Sequence, residues 1–359
     1  MVLAPRLRPS MGRVPAYVAG RPASPRDGLT VFKMSSNENP YPPLPAVLGA
    51  IAEAAAGINR YPDPAGRAMV AAIARRFDVA PESVATATGS VRLLAQLAEI
   101  TCDPGDEIVF ADPSFEAYPI VAAVADAVAV RVPLAAGARH DLPAMAAAVT
   151  DRTRLVLVCS PNNPTGPAVH EAELREFLAA VPPHVLVVLD EAYREFVDDP
   201  DTPDGVELFR EHPNLVVLRT FSKAYGLAGL RVGWALAHPD VAATLTRSAT
   251  PFGVNALAQA AVVASLEPDA EAELDRRVAA LVAERHRVLD GLRAAGLDVP
   301  DAQGNFVWLG AGERSSALAE GLGREGLAVR PFSGVGLRIT VAETEANDRL
   351  LSLAASLLG

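Results

Sequence analysis

One lysine in the segment RTFSKAYGLAGLRVG, residues 219–233, has a type and a setting suited to covalent chemistry. Of the chain's 32 lysine and arginine residues, only Lys33 and Lys223 are lysine. Arginine would serve better where only positive charge matters, because its guanidinium pairs with anions more strongly. A lysine can lose its proton and attack a carbonyl, forming a Schiff base. Two lysines could also remain by chance in an arginine-rich composition, so the neighbouring residues have to decide.

Polar side chains follow three apolar runs at the point where each run ends. LVLVCS leads into PNNPTG, VLVVLD into EAY, and LVVLRT into FSK. Each segment taken alone is typical of a turn, a helix start or a loop. Because open α/β sheets bind ligands outside the carboxyl ends of their strands, the three together predict one cleft. The polar residues that would meet there are Asn163, Asp190, Tyr193, Ser222 and Lys223.

Apolar runs bounded by turn residues recur between helical patterns as far as residue 250. Their continuous hydrophobicity predicts strands buried on both faces, as in a mostly parallel sheet covered by helices. Helix-type spacing occurs in two of the intervening segments, 90–101 and 170–181. The predicted strands are 107–112, 127–132, 154–160, 185–190, 214–220 and 232–237.

The pattern changes after Pro251, where two helices are followed by short strands that alternate with further helices. The helices are predicted at 255–266, 269–297, 315–325 and 344–358, and the strands at 304–310, 327–332 and 336–342. The fold class is therefore α/β, with a large domain built on a mostly parallel sheet flanked by helices and a smaller α/β domain. We assign 1–40 to an N-terminal arm and part of the small domain, 41–250 to the large domain, and 251–359 to the small domain.

Composition excludes several function classes. A formal net charge of −11 and an isoelectric point near 5.1 argue against a nucleic-acid or anionic-membrane partner. Cys102 and Cys159 form no CxxC pair and the six histidines show no metal-ligand spacing, so we expect no structural metal and no disulfide framework. Met1 to Arg26 lacks the apolar core of a signal peptide, and no later segment reads as a membrane span. A cytoplasmic protein is expected.

The strand-end residues belong to a set of motifs that covers nearly the whole chain. The set resembles the fold-type I aminotransferases that use pyridoxal 5′-phosphate, most closely the branch of histidinol-phosphate and aromatic amino acid aminotransferases. The combination is highly specific. Its motifs are SSNENPYPP (35–43), RYPDP (60–64), ATGS (87–90), DPSFEAY (112–118), CSPNNPTG (159–166), LDEAY (189–193), TFSKAYGLAGLRVG (220–233) and GLRIT (336–340).

The resemblance implies roles for the residues around the cofactor ring. Lys223 would carry the cofactor as a Schiff base and later move the proton between the substrate Cα and the cofactor. Asp190 would pair with the pyridine nitrogen and keep it protonated. Asn163 and Tyr193 would donate hydrogen bonds to the phenolic oxygen, and Phe115 would stack on the ring.

The resemblance also implies how the cofactor phosphate and its surroundings are bound. Gly89 and Ser90 open a helical segment whose N-terminal amides favour an anion, and the Arg231 guanidinium offers bidentate contacts. Tyr61 would reach the cofactor phosphate of a neighbouring subunit, so the expected active unit is a homodimer. The cofactor-contacting set of this region is Gly89, Ser90, Val91, Thr220, Ser222, Arg231 and Tyr61.

The substrate would be bound by a second group of residues that match family positions. Arg338 in GLRIT corresponds to the arginine that clamps the substrate α-carboxylate, for which planar bidentate geometry suits Arg. Asn37, Tyr17, Arg330 and Phe252 would line the rest of the pocket, although Tyr17 and Arg330 are equally compatible with a surface position. The partners implied are small amino acids and keto acids.

Two other functions share this resemblance. A regulator that only senses pyridoxal phosphate would need a basic DNA-binding segment, and this acidic chain has no room for one before residue 35. A decarboxylase or lyase on the same scaffold is the closer alternative. Clamping the carboxylate through Arg338 leaves the Cα–H bond perpendicular to the cofactor ring, so the proton departs rather than carbon dioxide. A decarboxylase that keeps an equivalent arginine stays an alternative.

The predicted reaction is transfer of an amino group between aromatic amino acids and 2-oxoglutarate, with phenylalanine and tyrosine favoured and tryptophan as a further substrate. Histidinol-phosphate enzymes usually carry polar groups at three positions where this chain has Val91, Phe115 and Phe252. An apolar pocket stabilises a phenyl ring by burial and leaves an imidazole and a phosphate unmatched. The alternative is histidinol-phosphate aminotransferase of histidine biosynthesis, since Arg330 could still bind a phosphate.

Overall fold

The computed structural model describes residues 7–16, 20 and 28–355, and its strands form two sheets. Within these residues the strands are β1 (Phe32–Met34), β2 (Val84–Ala87), β3 (Glu107–Asp112), β4 (Val128–Pro133), β5 (Thr153–Cys159), β6 (Leu186–Asp190), β7 (Leu215–Thr220), β8 (Gly233–Leu236), β9 (Phe306–Leu309), β10 (Leu327–Phe332) and β11 (Gly336–Thr340).

Helices surround both sheets, and short 3₁₀ turns connect several of the elements. The α-helices of the described ranges are α1 (Pro45–Ala55), α2 (Arg67–Phe77), α3 (Ser90–Thr101), α4 (Ala117–Val124), α5 (Leu142–Ala147), α6 (Glu171–Ala180), α7 (Gly205–Phe209), α8 (Pro239–Arg247), α9 (Ala256–Ser265), α10 (Pro268–Ala294), α11 (Ser315–Arg324) and α12 (Thr344–Leu353). In the part of the chain that the structure describes, none of them is both long and apolar enough to cross a bilayer.

The larger sheet has seven strands in the order β2-β8-β7-β6-β5-β3-β4. Strands β3 to β7 are mutually parallel, and β8 runs antiparallel to both of its neighbours. Successive residues of the central strands bury their side chains in different cores: Val187 lies in one cluster and Val188 in the cluster on the other face. Continuous apolar sequence is what such double burial requires, which confirms the predicted mostly parallel α/β sheet.

The smaller sheet has four strands in the order β1-β10-β11-β9. β10 pairs antiparallel with β11, and Arg330 is directly opposite Arg338 in their register. A separate apolar core, which includes Met34, Val288 and Leu350, lies against this sheet. Residues near the start of the chain therefore complete the small sheet, since β1 joins it as an edge strand parallel to β10.

Helix α10 contributes residues to both hydrophobic cores. Helix α9 and the first half of α10, including Ala258 and Val278, pack into the core on the large sheet, whereas Val288 and later residues of α10 pack into the small-sheet core. Arg285 lies between them, fully buried, and donates to the backbone carbonyls of Phe196 and Gly304. The domain boundaries at residues 40 and 250 stay predictions, and this packing favours a transition in α10.

Candidate active site

A cavity of about 200 Å³ lies at the carboxyl edge of the large sheet, where it meets β10 and β11 of the small one. Three neighbouring parallel strands, β5, β6 and β7, end there, as the sequence pattern predicts for an α/β cleft. Twelve of the predicted site residues line it: Ser90, Val91, Phe115, Asn163, Asp190, Tyr193, Thr220, Ser222, Lys223, Arg231, Arg330 and Arg338.

Lys223 follows the end of β7, and its amine points into this cavity. Its Nζ donates to the backbone carbonyls of Ser36 (3.0 Å) and Asn37 (3.2 Å). Burial, and then the Arg338 guanidinium, lower the pKa of the Lys223 ammonium to about 7. A substantial fraction of the amine is therefore neutral near pH 7, which is the form that attacks a carbonyl or accepts a proton.

Asp190 is the last residue of β6 and is 2% exposed. Its Oδ2 accepts a hydrogen bond from the Tyr118 hydroxyl at 2.9 Å, whereas its buried Oδ1 has no hydrogen-bond partner among the described residues. Burial raises the pKa of Asp190 to about 6, although the Tyr118 hydrogen bond acts in the opposite direction. A buried carboxylate oxygen without a donor is costly, so this atom is suited to a cationic N–H from a bound ligand.

Asn163 and Arg338 form one hydrogen-bonded unit beside the lysine. Arg338 Nη1 donates to Asn163 Oδ1 at 2.5 Å, and its Nη2 donates to the Ser35 carbonyl at 2.7 Å. Because the amide oxygen of Asn163 accepts from the guanidinium, its amide nitrogen is left as the donor. Asn163 is thus oriented to donate to a ligand oxygen in the cavity, the role toward the phenolic oxygen of the cofactor that the family resemblance implies.

Tyr193 is held from the other side by the buried side chain of Asn37. Asn37 Nδ2 donates to the Tyr193 hydroxyl oxygen at 2.9 Å, and Asn37 Oδ1 accepts from the Thr340 hydroxyl at 3.1 Å. Burial raises the pKa of the Tyr193 phenol, so the hydroxyl keeps its proton as a donor. Asn37 has a φ of 52°, a left-handed conformation that asparagine tolerates better than most residues.

The other end of the cavity is suited to an anion. α3 begins at Ser90, directly after Gly89, and no side chain caps its first turn, so its N-terminal amides and helix dipole favour negative charge. Gly89 has a φ of 90°, and a Cβ there would lie 2.6 Å from Arg231 Nη2. Arg231 Nη1 also lies 3.5 Å from Ser222 Oγ. Glycine therefore allows the guanidinium to approach the helix start closely.

An aromatic residue forms a wall of the cavity. The Phe115 ring packs edge-on against Tyr118, with the ring centroids 5.7 Å apart and the planes at 82°. Val91, on the first turn of α3, lies on the lining as well and is 37% exposed. Two of the three positions that favour an aromatic substrate over histidinol phosphate in the sequence therefore contribute apolar surface to the site.

Tyr61 and Phe252, two of the predicted site residues, do not line this cavity. Tyr61 is 81% exposed and stacks on Phe252, with ring centroids 4.4 Å apart. The role of Tyr61 toward the cofactor of a neighbouring subunit and the role of Phe252 toward the substrate stay predictions. Tyr17 lies outside the described residues. Asn37 contributes through its carbonyl and through Tyr193 rather than as a lining residue.

Several residues of the site were not among the predicted ones. Tyr118 orients Asp190, the Ser35 and Ser36 carbonyls accept from Arg338 and Lys223, and Glu116 lies on the lining. Tyr118 and Glu116 belong to the DPSFEAY motif, which was a signal for them. Backbone acceptors such as Ser35 and Ser36 carry no side-chain signal in a sequence.

The charges of this cavity fit pyridoxal 5′-phosphate group by group. The unpartnered Asp190 Oδ1 fits the protonated pyridine nitrogen, and Asn163 and Tyr193 fit the phenolic oxygen. The start of α3 with Arg231 fits the phosphate, and the Lys223 amine fits the aldehyde. An α/β fold with this set of groups defines a pyridoxal-phosphate-dependent enzyme of fold type I.

Comparison with known proteins identifies the family. The chain belongs to the aminotransferase class I and II family, whose model matches residues 30–352. Aromatic amino acid aminotransferase of Streptomyces coelicolor is 56% identical over 350 residues, which are 98% of this chain and 97% of that protein. The enzyme of the same name from Thermobifida fusca is 55% identical over 98% of this chain and 96% of its own length.

Solved structures agree with this assignment. Histidinol-phosphate aminotransferase of Sinorhizobium meliloti, in complex with pyridoxal 5′-phosphate, superposes with a TM-score of 0.89 at 28% identity, covering 99% of this chain and 98% of that one. A single mutant of aspartate aminotransferase of Thermus thermophilus superposes with a TM-score of 0.81 at 25% identity over 92% of this chain and 91% of that one. Pyridoxal 5′-phosphate is the cofactor of the family.

Proposed function

We propose that this aminotransferase exchanges the amino group between aromatic amino acids, phenylalanine and tyrosine in particular, and 2-oxoglutarate. The observation that carries the proposal is the similarity over nearly the full chain to enzymes named aromatic amino acid aminotransferase, at 50% to 56% identity. The apolar surface of Val91 and Phe115 in the cavity supports it, because burial favours a phenyl ring over a phosphate and an imidazole. Histidinol phosphate is the alternative substrate.

Arg338, Lys223 and Asp190 have different roles in the proposed reaction. When bound, pyridoxal phosphate supplies an electron sink for the electrons released at the substrate Cα. Arg338 would bind the α-carboxylate and set the direction of the Cα–H bond, and Lys223 would take that proton and deliver it to the cofactor carbon C4′ on the other side of the amino nitrogen. Asp190, which is 2% exposed, would keep a cationic N–H of the cofactor paired and out of contact with water.

The substrate proposal predicts a clear order of specificity. The kcat/KM for phenylpyruvate with glutamate exceeds that for histidinol phosphate with 2-oxoglutarate by at least about tenfold, since each unmatched polar group in an apolar pocket costs on the order of 1–3 kcal/mol. Steady-state assays of both pairs on the same preparation measure it. A preference for histidinol phosphate would overturn the substrate assignment and leave the chemistry of the site unchanged.

We also propose that the active unit is a symmetric homodimer whose sites are completed by Tyr61 of the other subunit. Tyr61 is a large exposed aromatic, and its stacking on Phe252 holds the ring in one place. Exposed apolar side chains at Leu48 and Ile58 lie in the same part of the sequence. The cytoplasmic location expected from the sequence stays a prediction.

Mixing two inactive variants tests the shared site. A Lys223→Ala subunit and a Tyr61→Phe subunit form hybrid dimers in which one site has both groups intact. We expect mixing at limiting cofactor to restore about one active site per hybrid dimer, measured as phenylalanine-dependent activity after subunit exchange. Each variant mixed with itself is the control. If the mixture stays as inactive as its parts, Tyr61 does not act across an interface.

A further inference from the structure

The substrate end of the cavity contains an ion pair between Glu116 and Arg330. Arg330 Nη2 lies 2.6 Å from Glu116 Oε1, with side-chain exposures of 6% for the arginine and 31% for the glutamate. Both residues line the main cavity, and both also line a second cavity of about 380 Å³, whose lining includes Phe115 as well. The pair therefore lies where the linings of the two cavities adjoin.

The register of the small sheet explains why a carboxylate is needed there. Arg330 on β10 is directly opposite Arg338 on β11, so both side chains project from one face toward the cavity. Two like charges at such a position repel each other. Arg338 contacts the neutral acceptors Asn163 Oδ1 and the Ser35 carbonyl, whereas Arg330 contacts a formal negative charge.

We propose that Glu116 is a specificity-determining residue, a built-in carboxylate that occupies Arg330 when the substrate is aromatic and is displaced when the substrate side chain is acidic. This inference rests on the proposed function, because it explains how one site serves both halves of that reaction. With the pair closed, an aromatic side chain meets a neutralised guanidinium. With the pair open, Arg330 binds the second carboxylate of glutamate or 2-oxoglutarate.

A substrate carboxylate and a phosphate ester differ in the negative charge that they would bring to Arg330. Replacing the Glu116 carboxylate by a substrate carboxylate exchanges one negative charge for another at Arg330, and the partly exposed Glu116 can turn toward water or the second cavity. A phosphate ester brings a charge of about −1.5 to −2 at pH 7, so the same exchange would leave excess negative charge beside Glu116. The ion pair between Glu116 and Arg330 thus allows dicarboxylates to bind and disfavours substrates with phosphorylated side chains.

Binding of two unreactive ligands to the cofactor-loaded enzyme tests the proposal. Glutarate represents the dicarboxylate substrates and hydrocinnamate the aromatic ones, and isothermal titration calorimetry gives both dissociation constants. Glu116→Gln keeps the shape of the side chain and removes its charge. We expect the ratio of the glutarate constant to the hydrocinnamate constant to fall about tenfold, since glutarate no longer competes with a carboxylate. A ratio within twofold of the wild type, or a shift the other way, overturns the proposal.

Arg330 provides the decisive control. In an Arg330→Gln background the same Glu116→Gln change should leave the ratio unaltered, because Glu116 acts through that guanidinium. An equal shift in both backgrounds would mean a general charge effect and would also overturn the proposal. Glu320→Gln removes an exposed charge on α11, outside the linings of both cavities, and should leave the ratio unaltered.

Failure of this inference is distinguishable from failure of the proposed function. If the wild-type enzyme neither binds hydrocinnamate nor converts phenylalanine, the proposed function is wrong. If it does both and the ratio does not respond to Glu116→Gln, only the role of Glu116 is wrong. Should Glu116→Gln fold poorly in thermal unfolding, Glu116→Asp, whose shorter side chain withdraws the carboxylate from Arg330, should shift the ratio in the same direction by a smaller factor.

Discussion

Replacing Lys223 by alanine lowers kcat for transamination by at least about 10⁴-fold, because one side chain both carries the cofactor and transfers the proton. The alanine variant loses the buried amine whose pKa lies at about 7, and no other lysine lies on the cavity lining within the described residues. Borohydride reduction followed by mass spectrometry measures the second consequence, which is the loss of the cofactor mass from the peptide that contains residue 223.

The chain offers a matched control, since Lys33 is its only other lysine. Lys33 pairs with Glu38 at the surface, with 39% of its side chain exposed, and Lys33→Ala should keep the cofactor attached after reduction. Retention of the cofactor mass on denatured Lys223→Ala protein would contradict the assignment of Lys223 as the anchor. Lys223→Arg distinguishes chemistry from charge, because arginine keeps the positive charge and cannot be deprotonated.

The strands that carry the site were predictable because they are buried on both faces. The predicted 107–112 and 327–332 coincide with β3 and β10, and the other predicted strands differ at their ends by one or two residues. α3 likewise begins at Ser90 and ends at Thr101, as its helix-type spacing indicates. Long apolar runs and regular helical spacing are the patterns from which a single sequence predicts strands and helices.

The sequence analysis did not assign helices α1, α2, α4, α5, α7 and α8, and it missed two strands that are short. β1 has three residues and β2 has four, too few for either periodicity to stand out. β1 exists because β10, nearly 300 residues later, offers it a parallel edge. Residues 1–40 are predicted to form an N-terminal arm and part of the small domain; β1 adds an edge strand to the small sheet, and the boundary at residue 40 stays a prediction. Such long-range pairings leave no local pattern in the chain.

In the site too, the sequence motifs predict the chemically active residues, whereas the contacts that support them are seen only in the folded structure. Residue types at strand ends, such as Lys223 and Asp190, indicate the chemistry directly. Their supporting contacts come from other parts of the chain: Tyr118 reaches Asp190 from α4, and Arg330 on β10 reaches Glu116. The predicted role of Tyr61 is not visible in a single chain, because its predicted target is the cofactor phosphate of a neighbouring subunit.

Replacing Asp190 by asparagine lowers kcat/KM for phenylalanine by about 10²- to 10³-fold, the usual cost of removing one aligned electrostatic partner. Asparagine keeps an acceptor for the Tyr118 hydroxyl, so the change removes the negative charge and little else. A neutral amide cannot hold a proton on the cofactor nitrogen in a buried site. Asp112→Asn, at the exposed end of β3, removes the same charge from another strand end and should keep full activity.

The stability of the cofactor-free protein gives an independent readout of the same carboxylate. Burial raises the pKa of Asp190 in the folded state to about 6, above its ordinary value of 3.8. The folded state then binds more protons than the unfolded state between these values, so stability falls as pH rises from about 4 to about 6 and stays low above. A difference of about two pKa units corresponds to about 3 kcal/mol.

Asp190→Asn removes this pH dependence. The cofactor-free variant should match the wild type near pH 4 and exceed its free energy of unfolding by up to about 3 kcal/mol above pH 6.5, measured by urea unfolding across that range. Adding pyridoxal phosphate should reverse the order, because the wild-type carboxylate then gains a cationic partner and the amide does not. If the difference in free energy of unfolding between the two proteins is constant from pH 4 to pH 7.5, the ionised Asp190 carboxylate carries no burial cost. The unpartnered Asp190 Oδ1 would then no longer support the assignment of this position to the cofactor nitrogen.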